Sequence, residues 1–174
     1  MTHEEAVDFL SELDFSKGEV WADIGAGTGV FTMAIAELLT EGKIFALDKS
    51  PHMLWRLSPP GNISLQIVDT DFLKPLPIDQ CDGMVMANAL HYTDQWVSTL
   101  RNVLEQLKEG GQFILIEYET SMSNPYVPFP IRFSQFEDIC SEVGLSAPRQ
   151  IATRPSQYGH AQIYGAAAVK TSTK

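Results

Sequence analysis

The stretch Asp23-Ile24-Gly25-Ala26-Gly27-Thr28-Gly29 decides the fold of this chain. Its alternating glycines let the backbone turn tightly and approach a ligand closely, because no side chain stands in the way. The apolar run 20–22 before it is typical of a strand. After it, one face of a helix is marked by Val30, Phe31, Ala34, Ile35 and Leu38. A strand, a glycine turn and a helix in this order predict a nucleotide-type binding corner.

The spacing of these glycines argues against two common nucleotide-binding turns. A dinucleotide fingerprint, G-x-G-x-x-G, needs a glycine at position 30, where the chain has Val30. A P-loop needs a lysine directly after its last glycine, and no lysine follows this turn. The sequence also has no Tyr-x-x-x-Lys pair, so a nicotinamide oxidoreductase is disfavoured.

Length and charge narrow the class of protein. The 174 residues suit a single domain, 1–174, in which 1–18 form an N-terminal helix and turn. A net charge of −10 argues against a protein that grips nucleic acid or carries a polybasic membrane anchor. The N-terminus is acidic, no apolar run approaches the roughly 18 residues of a membrane span, and the two cysteines form no C-x-x-C pair. These features predict a cytoplasmic protein with buried thiols.

Strand patterns alternate with helix patterns along the chain. Alternation of this kind predicts an α/β fold with a parallel sheet covered on both faces. The last two strands are joined too closely for a crossover, so they should pair antiparallel. After the strand that leads into the glycine turn, strands are predicted at 43–47, 63–68, 83–87, 112–118, 150–153 and 161–169.

Four further helices are predicted besides the one after the glycine turn. The capping-box pair Thr2 and Glu5 opens a helix at 3–14, and Pro51 opens a short helix through Leu57. The other two begin near Val97 and at the capping-box pair Ser134 and Glu137. The apolar face of the former includes Leu107 and ends at Gly110-Gly111, and the latter ends at Gly144.

Acidic residues follow the predicted strands at the edge where ligands bind. In an open α/β sheet the ligand lies outside the carboxyl ends of the strands. Asp48 ends the second strand, 19 residues after Gly29, and its two oxygens can accept hydrogen bonds from both hydroxyls of a ribose. Asp69 and Asp71 follow the third strand.

These segments resemble the motifs of the class I S-adenosylmethionine-dependent methyltransferases, and the resemblance covers residues 20–169. It implies a single Rossmann-like, doubly wound sheet of seven strands in the order 3-2-1-4-5-7-6, with the seventh antiparallel. It also implies S-adenosyl-L-methionine as the cofactor. The motifs that carry it lie at 20–29 (motif I), 44–50 (motif II), 68–72, 81–88 (motif IV) and 110–114.

The resemblance assigns the methionine end of the cofactor to the glycine turn. Backbone groups of Gly25, Ala26 and Gly27 would receive it, with Gly29 closing the turn. Asp23 would reach its ammonium through water, unless its carboxylate only orders the loop. Asn88, at the end of the motif IV segment, is counted with the cofactor-binding residues.

The adenosyl end is assigned to the residues after the second and third strands. Asp48 would bind the ribose, and Lys49 and Phe72 would flank the adenine. Either Asp69 or Asp71 would meet the adenine amino group. Asp71 is preferred because Phe72 could then lie against the ring.

The predicted reaction is in-line displacement at the methyl carbon of a sulfonium, with a small-molecule acceptor. His91, after the fourth strand, is the candidate general base, because its usual pKa suits proton removal at neutral pH. The alternative is a histidine that packs or caps the next helix, and Tyr92 is a weaker candidate for the base. The histidines are scattered without zinc-ligand spacing, so no metal site is expected.

The acceptor side is less defined. The segment 118–133 contains Tyr126, Phe129 and Phe133 among prolines, and it forms either an aromatic lid or a structural loop. A small acceptor, or a pocket completed by a second copy in a homodimer, fits so short a chain. The alternative to an enzyme is a protein that binds S-adenosylmethionine as a catalytically silent subunit.

Overall fold

Seven strands form one mixed sheet in the computed structural model, which describes residues 1–156 and 161–172. Across the sheet the order is third, second, first, fourth, fifth, seventh, sixth. The first five strands are parallel, and the seventh is antiparallel to both of its neighbours. In chain order the strands are β1 (Val20–Ile24), β2 (Glu41–Asp48), β3 (Asn62–Asp69), β4 (Cys81–Ala87), β5 (Leu107–Glu119), β6 (Arg149–Pro155) and β7 (Gln162–Val169).

The predicted fold class is therefore confirmed, including the strand order and the antiparallel seventh strand. Part of the turn predicted between the last two strands lies outside the described residues. The described helices are α1 (His3–Leu10), α2 (Val30–Leu39), α3 (Trp96–Leu104) and α4 (Phe133–Val143), with 3-10 turns at Leu54–Arg56 and Leu90–Tyr92.

The helices cover the two faces of the sheet, and alternate residues of each strand serve alternate faces. Met84 and Met86 of β4 pack in a core with Leu100 and Val103 of α3, whereas Val85 packs in the core that includes helices α1 and α2. Both cysteines are buried free thiols, as predicted. This layering leaves the carboxyl ends of β1 to β5 together at one edge of the sheet.

Two predicted helices are shorter than their patterns indicated. The first ends at Leu10 instead of residue 14, although its capping box is present as predicted. The helix predicted at 51–57 was wrong: the chain forms a turn and then the 3-10 helix Leu54–Arg56. Leu57 is already extended, with ψ 140°, and Pro59 beyond it disfavours helical backbone in the residue before it.

The assignment of Leu107 to a helix was also wrong. Helix α3 ends at Leu104, and Leu107 starts β5 by pairing with Cys81 of β4. The strand pairing is irregular before Gln112, and Gly110 takes a φ of +77° there. Leu107 is fully buried at the start of β5, and a buried helix position is also apolar, so its apolar character could not distinguish a helix from a strand.

The capping-box pair predicted for the last helix was wrong as well. Helix α4 begins at Phe133, one residue before Ser134. The side-chain oxygen of Gln135 accepts a hydrogen bond from the backbone N–H of Arg132 at 3.1 Å, and Glu119 accepts one from Phe133 at 2.8 Å. The helix ends at Gly144 as predicted, where φ is +78°.

Candidate cofactor-binding site

A cavity of about 600 Å3 opens at the carboxyl edge of the sheet. Its volume lies in the range of pockets that enclose small ligands and cofactors. The segments after β1, β2, β3 and β4 all contribute to its wall. The described lining residues are Met1, Gly25, Ala26, Gly27, Thr28, Val30, Phe31, Asp48, Lys49, Thr70, Asp71, Phe72, Leu73, Ala87, Asn88, Ala89 and Tyr92.

The glycine turn forms the floor of this cavity with backbone that other residues adopt rarely. Gly25, Gly27 and Gly29 have φ values of +71°, +56° and +82°. The turn is tied to the neighbouring strand because the N–H of Ala26 donates to the carbonyl of Leu47 at 2.9 Å. A ligand in the cavity would therefore meet main chain that is hydrogen-bonded to β2.

Gly25 also touches the segment after β4. A Cβ atom at position 25 would lie 2.7 Å from the Cβ of Ala89, well inside contact distance. Glycine at this position allows the turns after β1 and β4 to pack against each other.

Replacing Gly25 by alanine is expected to lower the free energy of unfolding and to weaken S-adenosylhomocysteine binding. The matched control is Gly110→Ala, because Gly110 has a φ of +77° but nothing within 4 Å of its would-be Cβ. Both variants carry a backbone penalty of roughly 1–2 kcal/mol, and only Gly25→Ala adds the steric conflict. Chemical unfolding and calorimetry measure the two effects. Equal losses in both variants would show that the contact with Ala89 contributes nothing.

Asp48 joins the glycine turn to the segment after β2. One carboxylate oxygen accepts a hydrogen bond from the N–H of Gly27, and the other accepts one from the N–H of Ser50, both at 2.8 Å. Each oxygen keeps a further lone pair for a ligand hydroxyl. Lys49, which was predicted to flank the adenine, is exposed and lies on the cavity wall.

Asp71 and Phe72 line the cavity after β3, while Asp69 is exposed and is not among the described lining residues. One oxygen of Asp71 accepts a hydrogen bond from the N–H of Leu73 at 3.0 Å. The side-chain amide of Asn102 in α3 donates to the carbonyl of Phe72 at 3.0 Å and so fixes this segment. No local pattern marks Asn102, because its contact with Phe72 joins residues that are 30 positions apart in the chain.

Asn88 presents a polar atom without a protein partner. Its φ is +50°, and its N–H donates to the carbonyl of Ile116 at 2.8 Å. The side-chain oxygen of Asn88 is buried, and no described group donates a hydrogen bond to it. A buried acceptor without a donor is costly, so this oxygen suits an N–H group of a ligand in the cavity that Asn88 lines.

Asp23 lies behind the cavity wall and is not among the described lining residues. Its side chain is 1% exposed, and it accepts a hydrogen bond from the hydroxyl of Thr32 at 2.6 Å. Burial raises the pKa of the Asp23 carboxyl from its ordinary value of 3.8 to about 6, and the bond from Thr32 opposes that rise. Sequence reasoning missed Thr32, whose signal is a hydroxyl in the buried part of α2.

His91 is buried beside a second ionisable group. It is 2% exposed, and its Nδ1 lies 2.6 Å from a carboxylate oxygen of Glu117, which is fully buried. The other oxygen of Glu117 accepts a hydrogen bond from the backbone N–H of His91 at 3.2 Å. Tyr92, and not His91, is among the described cavity residues. Sequence reasoning missed Glu117, although an acid directly after the apolar run 113–116 is a usable signal.

The described residues, 1–156 and 161–172, lack two kinds of feature. No group of three or more His, Cys, Asp or Glu side chains within that part of the chain is arranged to hold a metal ion. No helix among the same residues is long and apolar enough to cross a membrane.

The strand order, the glycine turn and an acidic residue at the end of β2 together define a class of protein, the class I S-adenosylmethionine-dependent methyltransferases. A family model described as a methyltransferase domain matches residues 22–113, more than half of the chain. The chain belongs to this methyltransferase family, and the resemblance noted in its motifs is confirmed.

Known proteins agree with this placement. The chain is 30% identical over 165 residues to a demethylmenaquinone methyltransferase of Symbiobacterium thermophilum, covering 87% of this chain and 63% of the relative. It is 30% identical over 112 residues to the chloroplastic 2-methyl-6-phytyl-1,4-hydroquinone methyltransferase of Arabidopsis thaliana, covering 63% and 33%. This chain thus spans less than two thirds of the length of either relative.

A solved structure shows the same fold. The crystal structure of a SAM-dependent methyltransferase from Aquifex aeolicus superimposes with a TM-score of 0.69 at 17% identity. The match covers 96% of this chain and 90% of that protein.

Proposed function

We propose that this chain binds S-adenosyl-L-methionine in the cavity and transfers its methyl group to a small-molecule acceptor. The observation that carries the proposal is the buried, unpartnered oxygen of Asn88 in the same cavity as the glycine turn and the Asp48 carboxylate. Such an acceptor fits the ammonium of the cofactor, and a carboxylate fits its ribose hydroxyls. The residues present therefore suit the group that the family uses.

The cofactor residues proposed are those that the motifs indicated. Gly25, Ala26 and Gly27, with Gly29 closing the turn, would receive the methionine end, and Asn88 would accept from its ammonium. The wall after β2 and β3 supplies Asp48 for the ribose, and Lys49, Asp71 and Phe72 for the adenine. Asp23 would act from behind the wall, through its charge and through water.

Orientation is the main task of these residues. When bound, the cofactor supplies a methyl group on a sulfonium, which is already a good leaving group. The chain has to hold the acceptor in line with the S–CH3 bond and to exclude water, and orientation of this kind can contribute roughly 7–11 kcal/mol at best. The role of His91 as general base stays a prediction. Its ring is buried and paired with Glu117, and His91 is not among the described residues that line the cavity.

The acceptor class follows from the relatives' names and is proposed only. One relative is named for demethylmenaquinone and the other for a substituted 1,4-hydroquinone. Hydroxylated aromatic rings are therefore the first acceptors to test. The one-domain organisation, a homodimer and the cytoplasmic location stay predictions.

Calorimetry with S-adenosylmethionine, S-adenosylhomocysteine and NAD is the first test. We expect the first two to bind and NAD to give no signal. Binding of NAD with no response to the other two would overturn the proposal. A transfer assay with labelled methyl donor should then find an acceptor among hydroquinones, phenols, amines, carboxylates and thiols. Cofactor binding with no transfer to any of them, with or without cell lysate, would favour the catalytically silent subunit.

A further inference from the structure

Tyr92 is an exposed aromatic side chain at the cavity, and the cofactor residues proposed above leave it without a role. It follows β4, and 57% of its side chain is exposed. The residues proposed to bind the cofactor lie after β1, β2 and β3: the glycine turn, Asp48, Asp71 and Phe72. Along the sheet edge, β4 lies on the other side of β1 from β2 and β3. The acceptor side of the cavity is therefore the side that Tyr92 lines.

The ring of Tyr92 rests on a buried support. Its centroid lies 4.4 Å from the centroid of the His91 ring, with the planes tilted by 49°. His91 is in turn held by Glu117, which contacts both its ring and its backbone N–H. The short contact between Nδ1 of His91 and Glu117, at 2.6 Å, and the bond from the backbone N–H of His91 to the same side chain hold the ring in place.

The same support reaches the segment after β5. The carbonyl of His91 accepts a hydrogen bond from the N–H of Phe129 at 3.0 Å. His91 thus connects β5, the turn that carries Tyr92, and the loop between β5 and α4. A histidine buried among these three elements can serve as a rigid support for the ring of Tyr92.

We propose that Tyr92 is the platform for a flat aromatic ring of the acceptor, and that Glu117 is a positioning residue that acts on Tyr92 through His91. This inference rests on the proposed function and names the acceptor class of the same site. An aromatic face of this kind selects planar rings, because offset or edge-on ring pairs gain energy beyond simple burial. A saturated ring of the same size gains none of that extra energy.

The experiment titrates the S-adenosylhomocysteine-saturated protein with 1,4-dihydroxynaphthalene under nitrogen, with decahydronaphthalene-1,4-diol as the saturated probe. We expect the flat probe to bind more tightly than the saturated one. Tyr92→Ala should raise the dissociation constant of the flat probe roughly three- to tenfold, and Tyr92→Phe should recover most of that loss. The matched control is Trp55→Ala, an aromatic side chain that is 66% exposed but is not among the described cavity residues.

A separate measurement is needed to distinguish positioning of Tyr92 by Glu117 from a general contribution of Glu117 to folding. Glu117→Gln and the double variant Tyr92→Ala/Glu117→Gln complete a double-mutant cycle on binding of the flat probe. If Glu117 acts through Tyr92, Glu117→Gln should weaken binding of the flat probe when Tyr92 is present. The same substitution should change that binding little in the Tyr92→Ala background. Additive losses would overturn the positioning role.

The outcomes separate this inference from the proposed function. Absence of S-adenosylhomocysteine binding in the wild type would overturn the proposed function itself. Normal S-adenosylhomocysteine binding, with the two probes bound equally or with Tyr92→Ala like wild type, would overturn only the platform. Because Tyr92 is exposed, Tyr92→Ala tests the platform even if Glu117→Gln fails to fold.

Discussion

Replacing Asp48 by alanine is expected to weaken the binding of S-adenosylhomocysteine roughly 10- to 150-fold, which corresponds to about 1.5–3 kcal/mol. Hydrogen bonds from ligand hydroxyls to a charged carboxylate account for a loss of this size. The structure adds a second cause: Asp48 also holds the N–H groups of Gly27 and Ser50, both at 2.8 Å. Without the carboxylate, the glycine turn loses the hydrogen bond from Gly27 to the β2 segment, and the bond from Ala26 to Leu47 remains.

The matched control for Asp48→Ala is Asp69→Ala. Asp69 ends the neighbouring strand, pairs with Asp48 in the β2–β3 register, and is exposed. The Asp69→Ala substitution removes the same negative charge close to the site and leaves the described residues of the cavity wall unchanged. Calorimetry on both variants measures the difference. Equal affinities in the two variants would mean that Asp48 acts only through long-range charge and would remove it from the ribose site.

Replacing Asp23 by asparagine is expected to raise the free energy of unfolding by as much as about 3 kcal/mol at pH 8. Burial raises the pKa of Asp23 from 3.8 to about 6, so the ionised carboxylate is unfavourable in the folded chain. The rise, at about 1.36 kcal/mol for each pH unit, corresponds to about 3 kcal/mol. Asparagine removes the charge and keeps an oxygen that can accept the hydrogen bond from Thr32.

The sign of this effect sets its pH dependence. The folded state binds the proton of Asp23 more tightly than the unfolded state does. The stability contributed by that proton is therefore fully present below about pH 4 and is lost as the pH rises through about 6. Urea unfolding at pH 4 and pH 8 measures it: the two proteins should be similar at pH 4 and diverge at pH 8. A constant difference between them would contradict the assigned cause.

The same variant should bind S-adenosylhomocysteine more weakly. The carboxylate of Asp23 is buried and does not line the cavity that we propose receives the cationic ammonium, and its negative charge would favour that ligand. If Asp23 contributes to binding in this way, the stability lost by burying its charge is a trade-off between stability and function of the kind that recurs in enzymes. Stabilisation together with tighter ligand binding would argue that Asp23 only orders the loop through Thr32.

The parts of the candidate site that could be predicted from the sequence are those that depend on residues adjacent in the chain. The glycine turn, Asp48 and the Asp71-Phe72 pair follow directly from strand ends, and strand ends show as changes in local pattern. Thr32 and Glu117 were missed because their roles depend on partners 9 and 26 residues away. No local pattern specifies such pairs. Leu107 shows the related difficulty, since burial alone does not distinguish helix from strand.

The packing of Gly25 against Ala89 has a thermodynamic consequence. Gly25 belongs to the turn proposed to hold the methyl donor, and Ala89 belongs to the turn that carries Tyr92. A Cβ at position 25 would lie 2.7 Å from the Cβ of Ala89, so the two turns lie close together and a displacement of one would press on the other. If donor and acceptor bind as proposed, this packing brings their two turns together, and any coupling free energy between the two ligands is reciprocal. If binding of the donor orders this packing and so raises the affinity for the acceptor, binding of the acceptor raises the affinity for the donor by the same free energy of coupling.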